Sequence, residues 1–145
     1  MNRMGGVIIG VTSVSELKEP VLKDYEKEFL RDIGYRVRYK RGEKLFGDGD
    51  IAGKVYLVEK GLVGTATRNS TGDKISVEGI RAPGELLGLS DTFLRNVRSY
   101  IAVALCNTTL LSVEKEVLQE LMNSNPFLLK KIVSIMEYRG VKNRG

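Results

Sequence analysis

The chain of 145 residues contains no histidine and a single cysteine, and both shortages remove chemistry. Without imidazole it cannot build a Ser-His-Asp triad, a histidine-based metal site or a proximal-histidine haem site. Cys106 alone cannot close an intrachain disulfide, a four-cysteine zinc site or an iron–sulfur cluster. Its ordinary reading is a small packed side chain, and one thiol accords with a cytoplasmic, reducing setting. Also missing is any apolar run near the roughly 20 residues that a membrane span requires. The opening Met1 to Gly10 holds only a short, interrupted apolar stretch, too little for the core of a signal peptide. No metal site and no catalytic residue is expected, and neither an internal repeat nor a low-complexity tract is present.

What remains is an ordinary globular composition, with 42% hydrophobic and 28% charged residues and a formal net charge of +5. A domain of this size buries roughly 68–70% of the surface that its unfolded chain exposes, so one core suffices without staples. The excess of Lys and Arg is dispersed, which suits solubility and permits an anionic partner without requiring one.

Between Ser13 and Ile33, Leu17, Val21, Leu22, Tyr25, Phe29, Leu30 and Ile33 recur at helical steps. Pro20 is expected to split this stripe into a short first helix and a longer second one that ends at Gly34. From Tyr35 the pattern changes to short strands punctuated by Gly-Asp turns: Lys54 to Val58, Gly61 to Thr67, then Lys74 to Ile80 beyond the polar loop Asn69 to Asp73. The last two form a hairpin. Strand character resumes at Tyr100 to Leu105 and Thr108 to Leu111, after an interruption from Glu85 to Arg98 that is the most unusual local feature. Ser112 reads as the N-cap of a helix over Val113 to Met122, and Asn125-Pro126 as the start of another. The latter carries Leu128, Ile132 and Ile135 on one stripe with Leu129, Val133 and Met136 beside it. That broad apolar face suits core packing or a dimer seam. The tail from Gly140 to Gly145 is expected to fray or to begin a further connection.

Three blocks, in this order and spacing, resemble the cyclic-nucleotide-binding domain of Crp/Fnr-type regulators: Gly42-Glu43 to Gly49-Asp50, Val55-Tyr56-Leu57-Val58-Glu59-Lys60-Gly61, and Pro83-Gly84-Glu85-Leu86-Leu87-Gly88-Leu89 ahead of Arg98-Ser99. The resemblance runs from about Phe29 to Arg139. It implies a mainly β fold, a double-stranded β-helix or jelly-roll barrel, with flanking N- and C-terminal helices. The divisions would be an N-terminal extension and helices (1–34), the β-roll (35–112) and C-terminal helices that begin a dimerisation helix (113–145).

In nucleotide-binding members of that family, the segment matching Gly84 to Ser99 cradles the cyclic phosphate. The resemblance therefore implies a ligand cassette of Gly84, Glu85, Leu86, Leu87, Gly88, Leu89, Arg98 and Ser99. Arg98 falls on the phosphate-pairing arginine and Ser99 on the neighbouring hydroxyl donor, although a surface or inter-strand ion pair of Arg98 with Asp91 or a nearby glutamate is the alternative. Leu89 departs from the pattern, because cyclic-AMP-binding members carry there the glutamate that holds the ribose. A second register, with Gly84-Glu85-Leu86 on the family's Gly-Glu-Leu motif, restores that carboxylate but lengthens the cassette.

No cofactor is required by these residues; the implied ligand is a cyclic nucleotide or another small organic anion with an apolar body. The family's helix-turn-helix reader would follow the dimer helix, and too few residues remain after Arg139 to form one, so any DNA contact would be made through a domain outside this chain. The expected function is an effector-sensing domain of a cytoplasmic, homodimeric transcriptional regulator. A stand-alone, ligand-free regulatory module acting through a protein partner is the alternative. A cupin-like enzyme is disfavoured by the lack of histidine.

Overall fold

The computed structural model describes residues 18–144. Helix α1 (Asp24–Ile33) precedes eight strands: β1 (Tyr35–Tyr39), β2 (Lys44–Phe46), β3 (Lys54–Lys60), β4 (Val63–Arg68), β5 (Ile75–Arg81), β6 (Leu86–Leu87), β7 (Ile101–Ala104) and β8 (Thr108–Glu114). Helices α2 (Lys115–Ser124) and α3 (Pro126–Arg144) follow. The strands form two four-stranded antiparallel sheets, ordered β1-β8-β3-β6 and β2-β7-β4-β5. Chain neighbours often fall in different sheets, so the strands wind around a common interior as a jelly roll. The expected mainly β roll with flanking helices is the architecture observed.

The core has two compartments. Phe46, Tyr56, Val58, Val63, Leu87, Ala102 and Leu110 fill the roll. On the outer face of the first sheet, Leu57, Leu111 and Val113 meet Leu30 of α1, Leu118 of α2 and Leu128, Ile132 and Ile135 of α3. Strand β3 serves both compartments because alternate side chains point to opposite faces, Leu57 toward the helices and Tyr56 and Val58 toward the roll. Its tight turn into β4 depends on Gly61 at φ +89°, where an added Cβ would collide with Thr108 Oγ1 and lie 2.6 Å from the Asn107 carbonyl oxygen.

Several local expectations change. The first helix expected before Pro20 lies largely outside the described residues. Those from Lys18 to Lys23 have no regular structure, and α1 begins only at Asp24. Ser112 is not a helix cap: it pairs with Tyr35 and Tyr56 in the middle of the first sheet, so β8 runs on to Glu114 before α2 starts. The two-sided ladder outweighs a single capping bond there. Asn125 does cap α3, its Oδ1 accepting from the Leu128 N–H at 3.1 Å. Helix α3 continues through Arg144, where fraying was expected.

The N-terminal helix is tied to the C-terminal one. Glu26, 3% exposed, pairs with Lys131 at 3.2 Å, and the Lys131 ammonium also donates to the Val21 carbonyl. Of the α3 apolar face, Leu128, Ile132 and Ile135 are buried, whereas Leu129 and Val133 remain exposed.

Candidate functional site

The interruption between β5 and β7 folds as a compact excursion. Gly84, at φ +91°, turns the chain, and the Glu85 carboxylate accepts from the Ala82 N–H at 2.6 Å. Backbone bonds from Gly84 N to Val58 O and from Val58 N to Glu85 O lay the segment against β3, where Leu86 and Leu87 form β6. Gly88, at φ +89°, turns it again, and a wide helical turn (Asp91–Arg95) leads to Asn96 in the left-handed region. Leu86 and Leu89 pack into the core under the helices and Leu87 into the roll, so these leucines chiefly anchor the excursion.

Arg98 is 3% exposed. Its guanidinium donates to the Gly88 carbonyl (3.2 Å), Thr92 Oγ1 (3.2 Å) and the Lys54 carbonyl (2.6 Å), and lies 4.2 Å from the centre of the Phe46 ring. Gly88 is required beside it, since a Cβ there would stand 2.5 Å from Arg98 Nη1. Arg98 thus clamps the excursion to β3. It lines a cavity of about 330 Å³ with Phe46, Asp50, Lys54, Tyr56 and Glu114. Burial holds the Tyr56 phenol above its usual pKa, although the Arg98 charge pulls the other way.

Ser99 faces elsewhere. Its N–H donates to Asp91 Oδ2 at 2.9 Å and its hydroxyl lies 3.0 Å from both Asp91 oxygens. Asp91, 2% exposed, also pairs with Arg95 at 3.1 Å and makes no contact of this kind with Arg98. Beside Ser99 opens a cleft of about 560 Å³ between the second sheet and α3, lined by Thr65 of β4, Arg81 of β5, Ser99, Tyr100, Arg139 of α3 and Glu19 of the lead-in segment. Arg139 Nε bonds Glu19 Oε1 at 3.0 Å, while Arg81 Nε is buried with no hydrogen-bond partner. Burial and the neighbouring Arg81 charge both draw the Arg139 pKa below its usual value. Burial would raise that of Glu19, but bonding from Arg139 and the two arginine charges outweigh it and hold the carboxyl below the ordinary 4.5. The Tyr100 phenol is raised by burial. Chemically, two guanidiniums, one on the roll and one on α3, meet over a cleft edged by hydroxyls, an arrangement that can hold an anion. Among the described residues no group of three or more His, Cys, Asp or Glu could hold a metal ion.

Comparison with known proteins places this geometry. Residues 36–125 match the cyclic nucleotide-binding domain family. The chain belongs to that family. This cyclic nucleotide-binding domain is of the Crp/Fnr type: it is 34% identical over 128 residues to the transcriptional activator protein FnrA of Stutzerimonas stutzeri, covering 86% of this chain and 51% of that protein. Among solved structures, the catabolite activator protein of Thermus thermophilus shares 26% identity, with 81% of this chain and 55% of that one covered at a TM-score of 0.73. The c-di-GMP-responsive global regulator CLP of Xanthomonas campestris shares 26% identity, with 84% and 62% covered at a TM-score of 0.71. The chain spans about half the length of FnrA.

Within this domain, the expected cassette residues do not converge on one space. Ser99 lines the large cleft, and Gly88, Leu89 and Ser99 line a smaller cavity of about 240 Å³ that shares Arg81, Tyr100 and Arg139 with it. Arg98 faces the opposite cavity, Leu86 and Leu87 are core, and Gly84 and Glu85 form the turn. Charges not singled out from the sequence occupy the cleft instead, Arg81, Arg139 and Glu19, while Asp91, expected as a partner of Arg98, lines the smaller cavity beside Ser99. Arg81 ends a strand whose remaining residues are mostly exposed, the one local hint that its side chain is engaged. No helix among the described residues is long and apolar enough to cross a membrane.

Proposed function

We propose that this domain is the effector-sensing part of a Crp/Fnr-type transcriptional regulator, taking a small organic anion in the cleft between the second sheet and α3. The observation that carries the reading is the pairing of Arg81 on the roll with Arg139 on α3 across one space. An anion bridging them ties the roll to the helix, and differential binding to two helix positions is what couples a ligand to a conformational equilibrium. Ser99, Gly88 and Leu89 of the cassette supply the wall beside it, and Arg98 holds that wall in shape. The ligand takes over Arg139 from the Glu19 carboxylate.

The exposed Leu129 and Val133, one turn apart on α3, support homodimerisation through that helix. The regulator would be cytoplasmic and would reach DNA through a reader domain outside residues 1–145. Leu89, which cannot accept a hydrogen bond from a ribose hydroxyl, disfavours cyclic AMP as the effector.

Calorimetric titration with cyclic AMP, cyclic GMP, cyclic-di-GMP and small di- and tricarboxylates tests the proposal. We expect one anion of the set to bind, and Arg139→Ala to weaken it about tenfold or more by removing a charge-assisted bond. Binding indifferent to Arg139→Ala refutes the cleft as the anion site, whereas absence of binding across the set supports the stand-alone ligand-free module. That second reading draws on Glu19 and Asp91, which already supply carboxylates to Arg139 and Ser99.

A further inference from the structure

We propose that Asp91 is an internal anion that fills the Ser99 donor site, so that the cleft rejects ligands needing that site and selects those held by Arg81 and Arg139. The selection of ligands held by Arg81 and Arg139 rests on the effector reading, whereas the occupation of the Ser99 donors by Asp91 goes beyond it and stands whether or not any ligand reaches Arg139.

The geometry is that of a bound carboxylate. Both Asp91 oxygens lie 3.0 Å from the Ser99 hydroxyl, Oδ2 accepts the Ser99 N–H at 2.9 Å, and Oδ1 takes Arg95 Nη1 at 3.1 Å. A backbone amide, a hydroxyl and a guanidinium around two oxygens of one negative charge make a donor set that equally suits a phosphate or phosphodiester monoanion. Asp91 is 2% exposed, yet it and Ser99 line the cavity of about 240 Å³ that also carries Arg81, Arg95 and Arg139. An anion entering that cavity therefore finds the Ser99 donors engaged and a fixed negative charge beside them.

The backbone enforces the occupancy. Thr92 N donates to Gly88 O, and the chain reverses at Asn96, φ +68°, whose N–H donates back to the Asp91 carbonyl at 2.7 Å. Residues 91 and 99 are thereby held face to face without help from a ligand. Truncating Asp91 would leave three donors vacant and remove the repelling charge, turning the cavity into an anion site.

The test uses nitrogen-15 spectra of the folded chain titrated with inorganic phosphate, read at the Ser99 amide. We expect no response in the wild type and a saturable shift in Asp91→Ala, with apparent affinity at least about tenfold higher, as for gaining hydrogen bonds to a charged group. The gain should shrink in Asp91→Ala/Ser99→Gly, read at the residue 99 amide, because the hydroxyl is lost while the amide and Arg95 remain. Asp91→Asn, which keeps the shape and still occupies the site, should remain unresponsive. Asp91→Ser carries the same expectation as the alanine variant if alanine does not fold. A phosphate-dependent shift of Ser99 in the wild type that persists in Arg139→Ala overturns the proposal, as does a folded Asp91→Ala or Asp91→Ser that binds no better than wild type. A wild-type shift that Arg139→Ala abolishes reports phosphate at Arg139, in the effector cleft, and leaves the Ser99 donors occupied by Asp91.

Discussion

Arg98→Ala separates a clamp from a ligand contact. The wild-type guanidinium donates to two main-chain carbonyls and one hydroxyl and stacks on Phe46. Hydrogen bonds from a charged group contribute about 1.5–3 kcal/mol each, and a desolvated cation–π contact up to about 2 kcal/mol. The sum overstates the loss, because both carbonyls keep a second donor: Thr92 N–H for Gly88 O and Thr92 Oγ1 for Lys54 O. The substitution also relieves a buried charge whose Nε has no partner. We therefore expect a net loss of about 3 kcal/mol, equivalent to a fall in Tm of roughly 10 °C for a chain this size. Urea unfolding gives the first figure and calorimetric melting the second. Anion affinity per folded molecule should fall less than in Arg139→Ala, since the group lines a different cavity and reaches the cleft only through the wall it holds. Unaltered stability with abolished affinity would refute the clamp and restore Arg98 to the binding site.

Other perturbations have equally definite outcomes. Burial opposes ionisation of Glu59, but bonding from Arg31 and the charges of Arg36 and Arg31 outweigh it and hold its pKa below 4.5. A depressed carboxyl stabilises the fold fully above its unfolded pKa and loses that contribution as pH falls through the folded value. Glu59→Gln should accordingly flatten the loss of stability below about pH 4.5 in urea titrations at stepped pH; an unchanged slope would exclude this ion pair as its source. Gly61→Ala places a Cβ against Thr108 Oγ1 at positive φ, so urea unfolding should show a loss of about 2–4 kcal/mol; a neutral result would mean the turn can be rebuilt. Val133→Glu puts a charge on the exposed α3 face and should shift sedimentation toward monomer, whereas an unaffected dimer would place the seam elsewhere.

The roll was legible because its signals are local. Glycine turns, the Asn69 to Asp73 loop and alternating strands each repeat within a few residues, and Gly61 shows why one such residue is fixed. The site was less so, for a geometrical reason. Arg98 and Ser99 are neighbours in the segment that leads into β7, yet Arg98 bonds Gly88, Thr92 and Lys54 while Ser99 bonds Asp91, so adjacency in sequence does not put the two side chains in one cavity. Asp91 was visible as a partner for an arginine, but the left-handed turn at Asn96 brings it to Ser99 instead. Arg81 and Arg139 meet only because α3 packs across the roll, a long-range juxtaposition that no window of sequence contains. Ser112 misled for a related reason: its capping chemistry is real, but two neighbouring strands claim its backbone.

The proposed sensing role stands or falls on whether Arg81 and Arg139 together receive an anion. Side-chain Nε–H resonances of the arginines, followed while the best-binding anion of the set is added, address it directly. The Arg81 and Arg139 signals should move together with one saturation curve while that of Arg98 stays still. Saturable binding that shifts Arg98, or leaves both Arg81 and Arg139 unmoved, would contradict it.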